Sequence, residues 1–447
     1  MFKKILFVLF LISFTVQSQT YVKGTLEPAQ DYNWIVLYQL KGAKQLYIKN
    51  VTIENGEFSI DFPENLPKGG MYRLMYSQQN GSFVDFIYNN ENIEVKFNPE
   101  NPFETVEFIT SEENKLFTNY LFESANWQQE LDAYQISYFN MEEEKERKIL
   151  QEEYSKLVIK FKPFQKEFEN KATGKFAQHF IKVNHKYYSA NLIKTPQEYL
   201  NSEKQHYFDF INFEDEVLLN SSFLNEKITD YVFYLNGSDD AEVQIALYKN
   251  AVKEVLVRTQ NINLQSEIIT TLLYNFAQLE NTVLIDFVIE NYYNKLPEEV
   301  KNEAIINEIK EKVKLAVGNF APEITWKEDN TTKKLSELTI AENYMVVFWS
   351  TSCSHCLVEI PKLYEYTKDK TNVQVIAFAL EDNEVGFNEQ TPKFEKWIHI
   401  LGLKKWQNPI ARAYQINSTP NYFVLDKNKK IIAKPNYFSD VEAFFKN

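Results

Sequence analysis

The chain has 447 residues, room at about 150 per domain for about three domains with cores of their own. With 44% apolar and 25% charged residues it is globular, which excludes a disordered tail or a fibrous repeat. A formal charge of −14, from 48 Lys+Arg against 62 Asp+Glu, argues against nucleic acid as a partner, because phosphates call for a basic surface.

Lys3 and Lys4 open the chain, the apolar run Ile5–Phe10 continues through Leu11, Ile12, Phe14 and Val16, and the polar Gln17-Ser18-Gln19 follows. This order is that of a secretory signal peptide over residues 1–19, with an apolar run short of the roughly 20 residues a membrane span needs. Cleavage takes the formal charge from −14 to −16 and delivers the mature protein to the periplasm. There, paired thiols meet oxidising chemistry.

Residues 20–100 read as an antiparallel β-sandwich. Val51 and Ile53 alternate, Asn55-Gly56 turns, and Phe58, Ile60 and Phe62 alternate again, the pattern of a tight hairpin. Further strands are expected at Trp34–Leu40, Leu46–Lys49, Tyr72–Tyr76, Phe83–Tyr88 and Ile93–Phe97, with turns at Pro63–Gly70 and Gln79-Asn80-Gly81. The module carries no histidine or cysteine, so it reads as a structural or protein-binding element.

Residues 101–315 change to helical periods and form an all-α block. Leu150, Tyr154, Leu157, Phe161, Phe164 and Phe168 recur at alternating spacings of four and three. That stripe has two readings: a coiled-coil seam making the block a homodimer arm, or a helix burying one face in its own bundle. Pro163 within it favours the bundle, since it would kink a long coiled coil. Other helices are expected at Phe176–Tyr188, Pro196–Ile211, Leu224–Leu235, Ala241–Arg258, Gln265–Leu279, Val283–Tyr293 and Glu298–Val317. Thr195-Pro196 and Ser238-Asp239-Asp240 supply helix starts. His179 and His185 lie six apart, a poor spacing for ligands on one helix face, and with His206 they read as ordinary histidines; no metal or cofactor is expected.

From residue 316 to 447, β/α alternation sets in. Met345–Trp349 is a continuous apolar run suited to a buried strand, Val373–Leu380 is a second, and Tyr422–Leu425 a third, with Ile431–Ala433 as its antiparallel partner. Helical segments are expected around Pro392–Leu401 and Pro409–Tyr414, and after a cap at Ser439. Between the first strand and an amphipathic helix lies Cys353-Ser354-His355-Cys356, which holds the chain's only cysteines and so excludes a disulfide-stapled scaffold. A sulfur at a helix N-terminus faces unpaired N–H groups and the positive end of the macrodipole, which favour the thiolate. The thiolate is the nucleophile of disulfide exchange, and a second sulfur one turn on is near enough to resolve the mixed disulfide. Cys353 should attack and Cys356 resolve. A zinc site would need two more ligands than the segment supplies.

Together with Ala321-Pro322-Glu323, the run Val347–Cys356, Pro361 and Ser418-Thr419-Pro420, this block resembles the thioredoxin-like thiol–disulfide oxidoreductases, within them the TlpA/ResA-like extracytoplasmic branch. The resemblance covers about the last 130 residues and implies a C-terminal α/β thioredoxin-like fold. More loosely, the preceding β module and helical block resemble the layout of secreted Bacteroidetes-type members. The resemblance implies that Thr419-Pro420 is the cis-proline loop that offers backbone pairing to a substrate strand. It further implies that Glu359 helps move the proton of the resolving thiol, the alternative being a solvated acid complementing the helix dipole. Pro361 matches a helix-kinking proline. The sequence departs from the family where thioredoxin has a buried aspartate, since Val347 stands there. Ser354-His355 replaces Gly-Pro between the cysteines, and His355 as a cation would further stabilise the Cys353 thiolate, making the centre less reducing than thioredoxin.

The expected activity is reduction of disulfides in proteins or peptides, with a membrane thiol donor restoring the dithiol; oxidation or isomerisation would use the same residues. A non-enzymatic alternative is an envelope interaction protein with a regulatory redox pair, since about two-thirds of the chain lies outside the thioredoxin-like block.

Overall fold

The computed structural model describes residues 20–29, 32–79, 81–329 and 331–446. The expected signal peptide, and Asn80 of the Gln79–Gly81 turn, lie outside the described residues. The chain forms two compact units that divide between Thr271 and Leu272.

The first unit opens with strands β1 (Tyr21–Leu26), β2 (Trp34–Lys41), β3 (Lys44–Thr52), β4 (Glu57–Asp61), β5 (Met71–Met75), β6 (Phe83–Ile87), β7 (Ile93–Phe97) and β8 (Glu107–Phe108). They form two four-stranded sheets, ordered β4-β1-β7-β8 and β3-β2-β5-β6. Their inward residues, among them Val22, Leu37, Ile60, Leu74, Phe86 and Val95, share one apolar core. The sandwich is not wholly antiparallel, because β1 pairs with β7 in parallel. Asn55-Gly56 makes its tight turn, with φ of 54° and 82°. Glu54 and Glu57 exchange both backbone hydrogen bonds across it at 2.9 Å. The expected hairpin stops there: β3 and β4 enter opposite sheets, because one side of the turn must bury Ile53 and the other Phe58 in the layer between them.

After the short α1 (Pro102–Thr105) come two long helices, α2 (Glu112–Asn140) and α3 (Glu144–Lys171). Sequence periodicity misses α2, whose buried positions include Glu113, Asn114, Ser124 and Gln135, while Leu121, Phe122 and Ile136 face outward. Asn114 explains one such burial. Its amide accepts from the Ile87 N–H at 2.7 Å and donates to the Ile87 carbonyl at 2.8 Å, so it pairs with the backbone of edge strand β6 as a neighbouring strand would. The stripe on α3 packs within the chain: Tyr154, Val158 and Phe161 share a core with Leu131 of α2, Tyr188 and Leu192, with Leu150, Leu157 and Phe164 packed against it. The seam that suggested a homodimer arm is thus occupied by α2.

Shorter helices follow, namely α4 (Ala177–Val183), α5 (Pro196–His206), α6 (Glu216–Leu219), α7 (Phe223–Thr229) and α8 (Ala241–Arg258). Thr195 and Asp240 cap α5 and α8 as expected, each accepting N–H groups of the first turn. The segment expected as one helix at Leu224–Leu235 changes at Asp230 into a π-helical turn. Two histidines are held by hydrogen bonds to carboxylates, His179 Nδ1 with Asp215 at 2.7 Å and His206 Nδ1 with Asp209 at 2.6 Å.

Helix α9 (Ile262–Gln278) runs across the division, and α10 (Thr282–Asn291) and α11 (Glu303–Val313) belong to the second unit. Glu298–Val300 is a separate 3-10 turn, so the single helix expected at Glu298–Val317 is broken. A hairpin, β9 (Thr325–Glu328) and β10 (Thr331–Lys334), precedes β11 (Asn343–Trp349), α12 (Ser354–Thr367), β12 (Val373–Glu381), α13 (Val385–Gln390), β13 (Ile398–Leu403), α14 (Pro409–Ala413), β14 (Asn421–Asp426), β15 (Ile431–Ala433) and α15 (Phe438–Lys446). The five-stranded sheet is ordered β13-β12-β11-β14-β15. Its first three strands in that order run parallel, and β14 is antiparallel to both neighbours.

The unbroken apolar run of β11 follows from burial on both faces. Tyr344, Val346 and Phe348 enter one core, and Met345, Val347 and Trp349 the other. Helix α12 covers the second face with Cys356, Ile360 and Leu363. The helical segment expected around Pro392–Leu401 is a 3-10 turn at Thr391–Lys393 followed by strand β13. So short an apolar run fits either period, and pairing with β12 over Ile376–Glu381 decides it.

Candidate active site

The site lies where β11 ends and α12 begins. Cys353 is the N-cap of α12, with φ −93° and ψ 115°, and its Sγ accepts from the Cys356 N–H at 3.2 Å. As a thiol, Cys353 donates to the Thr419 carbonyl at 3.3 Å. The Thr419–Pro420 peptide bond is cis. Cys353 is half-buried and Cys356 fully buried, both as free thiols.

This placement separates the two acidities. Partial burial works against ionisation of Cys353. Hydrogen bonds from the Cys356 thiol, from Thr419 and from the Cys356 and His355 N–H groups outweigh it, and the thiol sits below its ordinary range. Cys356 goes the other way: burial, with the neighbouring Cys353 sulfur, pushes it up to about 12. One sulfur is therefore ready to attack, and the other holds its proton.

Residues 342–431 match the family model described as thioredoxin-like. The C-terminal domain is thioredoxin-like. Among curated proteins no sequence matches the chain. Solved structures that resemble it include a domain of a possible thiol-disulfide isomerase from Cytophaga hutchinsonii, at 28% identity over 29% of this chain and 90% of that one, with a TM-score of 0.26. Another is the thioredoxin domain of a thiol-disulfide oxidoreductase from Bacteroides vulgatus, at 26% identity over 29% and 98%, with a TM-score of 0.25. A thiol:disulfide interchange protein from a Bacteroides species matches at 26% identity over 30% and 92%, again with a TM-score of 0.25.

Within the thioredoxin-like domain the structure brings Cys353, Cys356, Thr419 and Pro420 together. Beside them runs a groove of about 1000 Å³, lined by His355, Glu359, Thr419, Pro420, Tyr422 and Tyr437, with Glu280 and Lys312 contributed from the helical segments of the same unit. Glu359 is not a freely solvated first-turn acid. One carboxylate oxygen accepts from Lys362 Nζ at 3.1 Å and the other from the Phe438 N–H at 3.0 Å. It thereby satisfies the start of α15, which begins at Phe438; Ser439, expected as the cap, lies inside the helix. Ser354 and the side chain of His355 are exposed, and what reaches Cys353 from His355 is its backbone N–H. Pro361 sits inside α12, where its missing N–H interrupts the helical ladder.

Two side chains escaped the sequence reading. Glu381, buried at the end of β12, accepts the Thr351 N–H at 2.5 Å and so pins the turn that precedes Cys353. It is the lone charge closing the apolar run Val373–Leu380, at the carboxyl end of a parallel strand, and that was its available signal. Tyr422, two residues past Pro420, is fully buried among Trp349, Cys356 and Ile360. Val347 stands directly opposite it on β11.

Proposed function

We propose that this protein is an extracytoplasmic thiol–disulfide oxidoreductase that reduces disulfides in protein or peptide substrates. The observation that carries the reading is the pairing of a thiolate-favouring Cys353 at a helix N-cap with a buried, protonated Cys356 one turn away. The Cys353 thiolate attacks one sulfur of the substrate disulfide. A Cys353–substrate disulfide forms, and the other substrate sulfur leaves as a thiolate that takes a proton from water. Cys356 then gives up its proton, and its sulfur attacks Cys353 Sγ. This closes the Cys353–Cys356 disulfide and expels the second substrate thiolate. Two electrons have passed from the protein to the substrate, and a membrane dithiol donor returns them.

Glu359, on the same helix as Cys356 and lining the groove, is the acceptor for the Cys356 proton. Thr419 and Pro420 line the groove beside the attacking sulfur and present backbone to an extended substrate segment. Ser354 and His355 tune the potential from the exposed first turn. The basic and apolar order of residues 3–16 supports export.

Reduction of a protein disulfide by the full chain, recycled with dithiothreitol, tests the reading. Wild type turns over and Cys353→Ser does not; normal turnover by the variant refutes the enzyme. Trapping on Cys356→Ser then captures the substrates, and titration against glutathione fixes the direction.

A further inference from the structure

We propose that the disulfide this protein acts on is carried by an acidic polypeptide segment, and that Lys312, which lines the groove beside the cis-proline loop, selects that segment. The inference rests on the proposed exchange chemistry and names the substrate class of the same site.

The family match begins at residue 342, yet Glu280, Lys312 and Leu315 of the preceding segments line the groove together with His355, Thr419 and Pro420. That part of the wall is built into the domain. Leu315 is buried in the core that holds Tyr344, Val346 and Phe348 of β11. The chain after α11 bonds to β15, since the Gly318 N–H donates to the Ile431 carbonyl at 2.7 Å and the Ile431 N–H to the Asn319 carbonyl at 2.8 Å. Gln415 Nε2 donates to the Glu311 carbonyl of α11 at 3.2 Å. Helix α11 is therefore fixed against the thioredoxin-like domain, and Lys312 with it.

Most of the charge in the groove is already partnered. Glu280 is ion-paired with Lys434, and Glu359 is held by Lys362 and by the Phe438 N–H. Lys312 is exposed and has no ion-pair or hydrogen-bond partner among the described residues. The first turn of α12 opens on the same groove through His355, and the positive end of that helix adds to the field of Lys312. In a chain of formal charge −14, this groove thus offers an unpaired cation and no unpaired acid among the described residues. A substrate carboxylate meets an amine that gives up no partner to receive it, in a concave wall that concentrates the field. A basic segment meets only repulsion from Lys312. Complementing the end of α11 does not account for this placement, because exposed Lys310 does the same without lining the groove.

The probes are short synthetic peptides whose single cysteine is held as a pyridyl mixed disulfide, flanked on both sides by Glu or on both sides by Lys. The Cys353 thiolate attacks the peptide sulfur, the bond to the pyridyl sulfur breaks, and coloured thiopyridone leaves. Cys356 then closes the Cys353–Cys356 disulfide and frees the peptide thiol, so two electrons pass from the protein to the probe. Each rate with the reduced full chain is divided by that of the same peptide with dithiothreitol, which removes differences in intrinsic reactivity. Wild type should favour the Glu peptide by about fivefold at low salt, the upper reach of an exposed ion pair, and the preference should shrink toward one in molar salt. Lys312→Ala should lose the preference and Lys312→Glu should reverse it. Lys310→Glu, with the same net charge as Lys312→Glu, should keep the wild-type preference. Each preference is a ratio within one protein, so a poorly folded variant lowers both rates and leaves the ratio readable. A wild type that favours neither peptide or the Lys peptide, a preference untouched by Lys312→Glu, equal losses from Lys310→Glu and Lys312→Glu, or a preference unmoved by salt each overturns the inference. So does a wild type that reacts with neutral dithiodipyridine but with neither peptide. A wild type that reacts with none of the three disulfides defeats the exchange reading instead, and this inference with it.

Discussion

The division of labour between the sulfurs can be measured by alkylation. Cys356, pushed up to about 12, holds about one thiolate in 10⁵ at pH 7. Cys353, held below the ordinary 9.0, has more than about one in 100. The thiolate populations therefore differ by at least about a thousandfold. A more basic thiolate is intrinsically more nucleophilic, and over about three pKa units a Brønsted slope near 0.45 returns about twentyfold to Cys356. A net preference of at least about fiftyfold for Cys353 remains, and full burial of Cys356 enlarges it. Reduced protein treated with limiting iodoacetamide at pH 7, followed by peptide mapping, should carry its label on Cys353. The rate should inflect below pH 9. In Cys356→Ala the inflection should rise, because the thiol donor is lost, yet stay below 9 because the backbone donors remain. The sign extends to stability. A depressed thiol favours the folded dithiol form above the unfolded pKa, and that favour is lost as pH falls through the folded value; a raised thiol such as Cys356 withdraws its favour as pH climbs past the unfolded value. Equal labelling of both cysteines, or a Cys353 inflection at or above 9, would falsify the electrostatic argument.

Other perturbations probe the surroundings of the pair. Glu359→Gln should slow resolution by about a hundredfold while leaving Cys353 alkylation unchanged, read with an aromatic disulfide whose first released thiolate reports attack and whose second reports resolution; an unaltered pH profile would remove Glu359 from proton transfer. His355→Ala should make the centre more reducing by no more than about 20 mV, because an exposed charge is worth at most about 1 kcal/mol and 30 mV is about 1.4 kcal/mol; a shift of 60 mV or more in a glutathione titration would mean the ring acts at closer range. Glu381→Ala should destabilise the protein by about 2 kcal/mol in urea and slow attack by Cys353, since a charge-assisted bond to the Thr351 N–H is lost. Phe161→Ala should cost about 3–5 kcal/mol in the same assay, the range for emptying a packed aromatic site; a cost under 1 kcal/mol would contradict its burial against α2.

Legibility followed how local the deciding physics was. Cys353 and Cys356, the strand before them and the helix after them could be read because spacing, an apolar run and the end of a strand all lie within a dozen residues. Thr195 and Asp240 could be read for the same reason, since a cap acts within one turn. Where sheet partners decided, the reading faltered. Residues 398–403 became a strand because β12 offered an open edge, and the chain after Asn55-Gly56 left the hairpin because two sheets competed for it. Helix α2 escaped because its face toward the sandwich is polar, with Asn114 and Glu113 bonded to backbone and side chains of other elements. Glu359 drew attention for its place after Cys356, but its bond to the Phe438 N–H, 79 residues on, could not be anticipated from either segment.

These long-range contacts bear on which step limits turnover. What eases attack by Cys353 comes from its own helix end and from the Thr419 side chain, groups already in place before a substrate arrives. What opposes the second step is burial of Cys356, and the same burial keeps water from taking its proton. The proton has to leave through protein, and Glu359, which lines the groove beside the pair, is fixed by an element remote in sequence, α15. Resolution should therefore be the slow step near neutral pH, with the mixed disulfide on Cys353 accumulating during turnover. Acid quenching at steady state would reveal it as a mass adduct, growing as the pH is lowered and vanishing as it is raised. An adduct absent at pH 6 would place the bottleneck at attack and remove the need for any internal path for the proton.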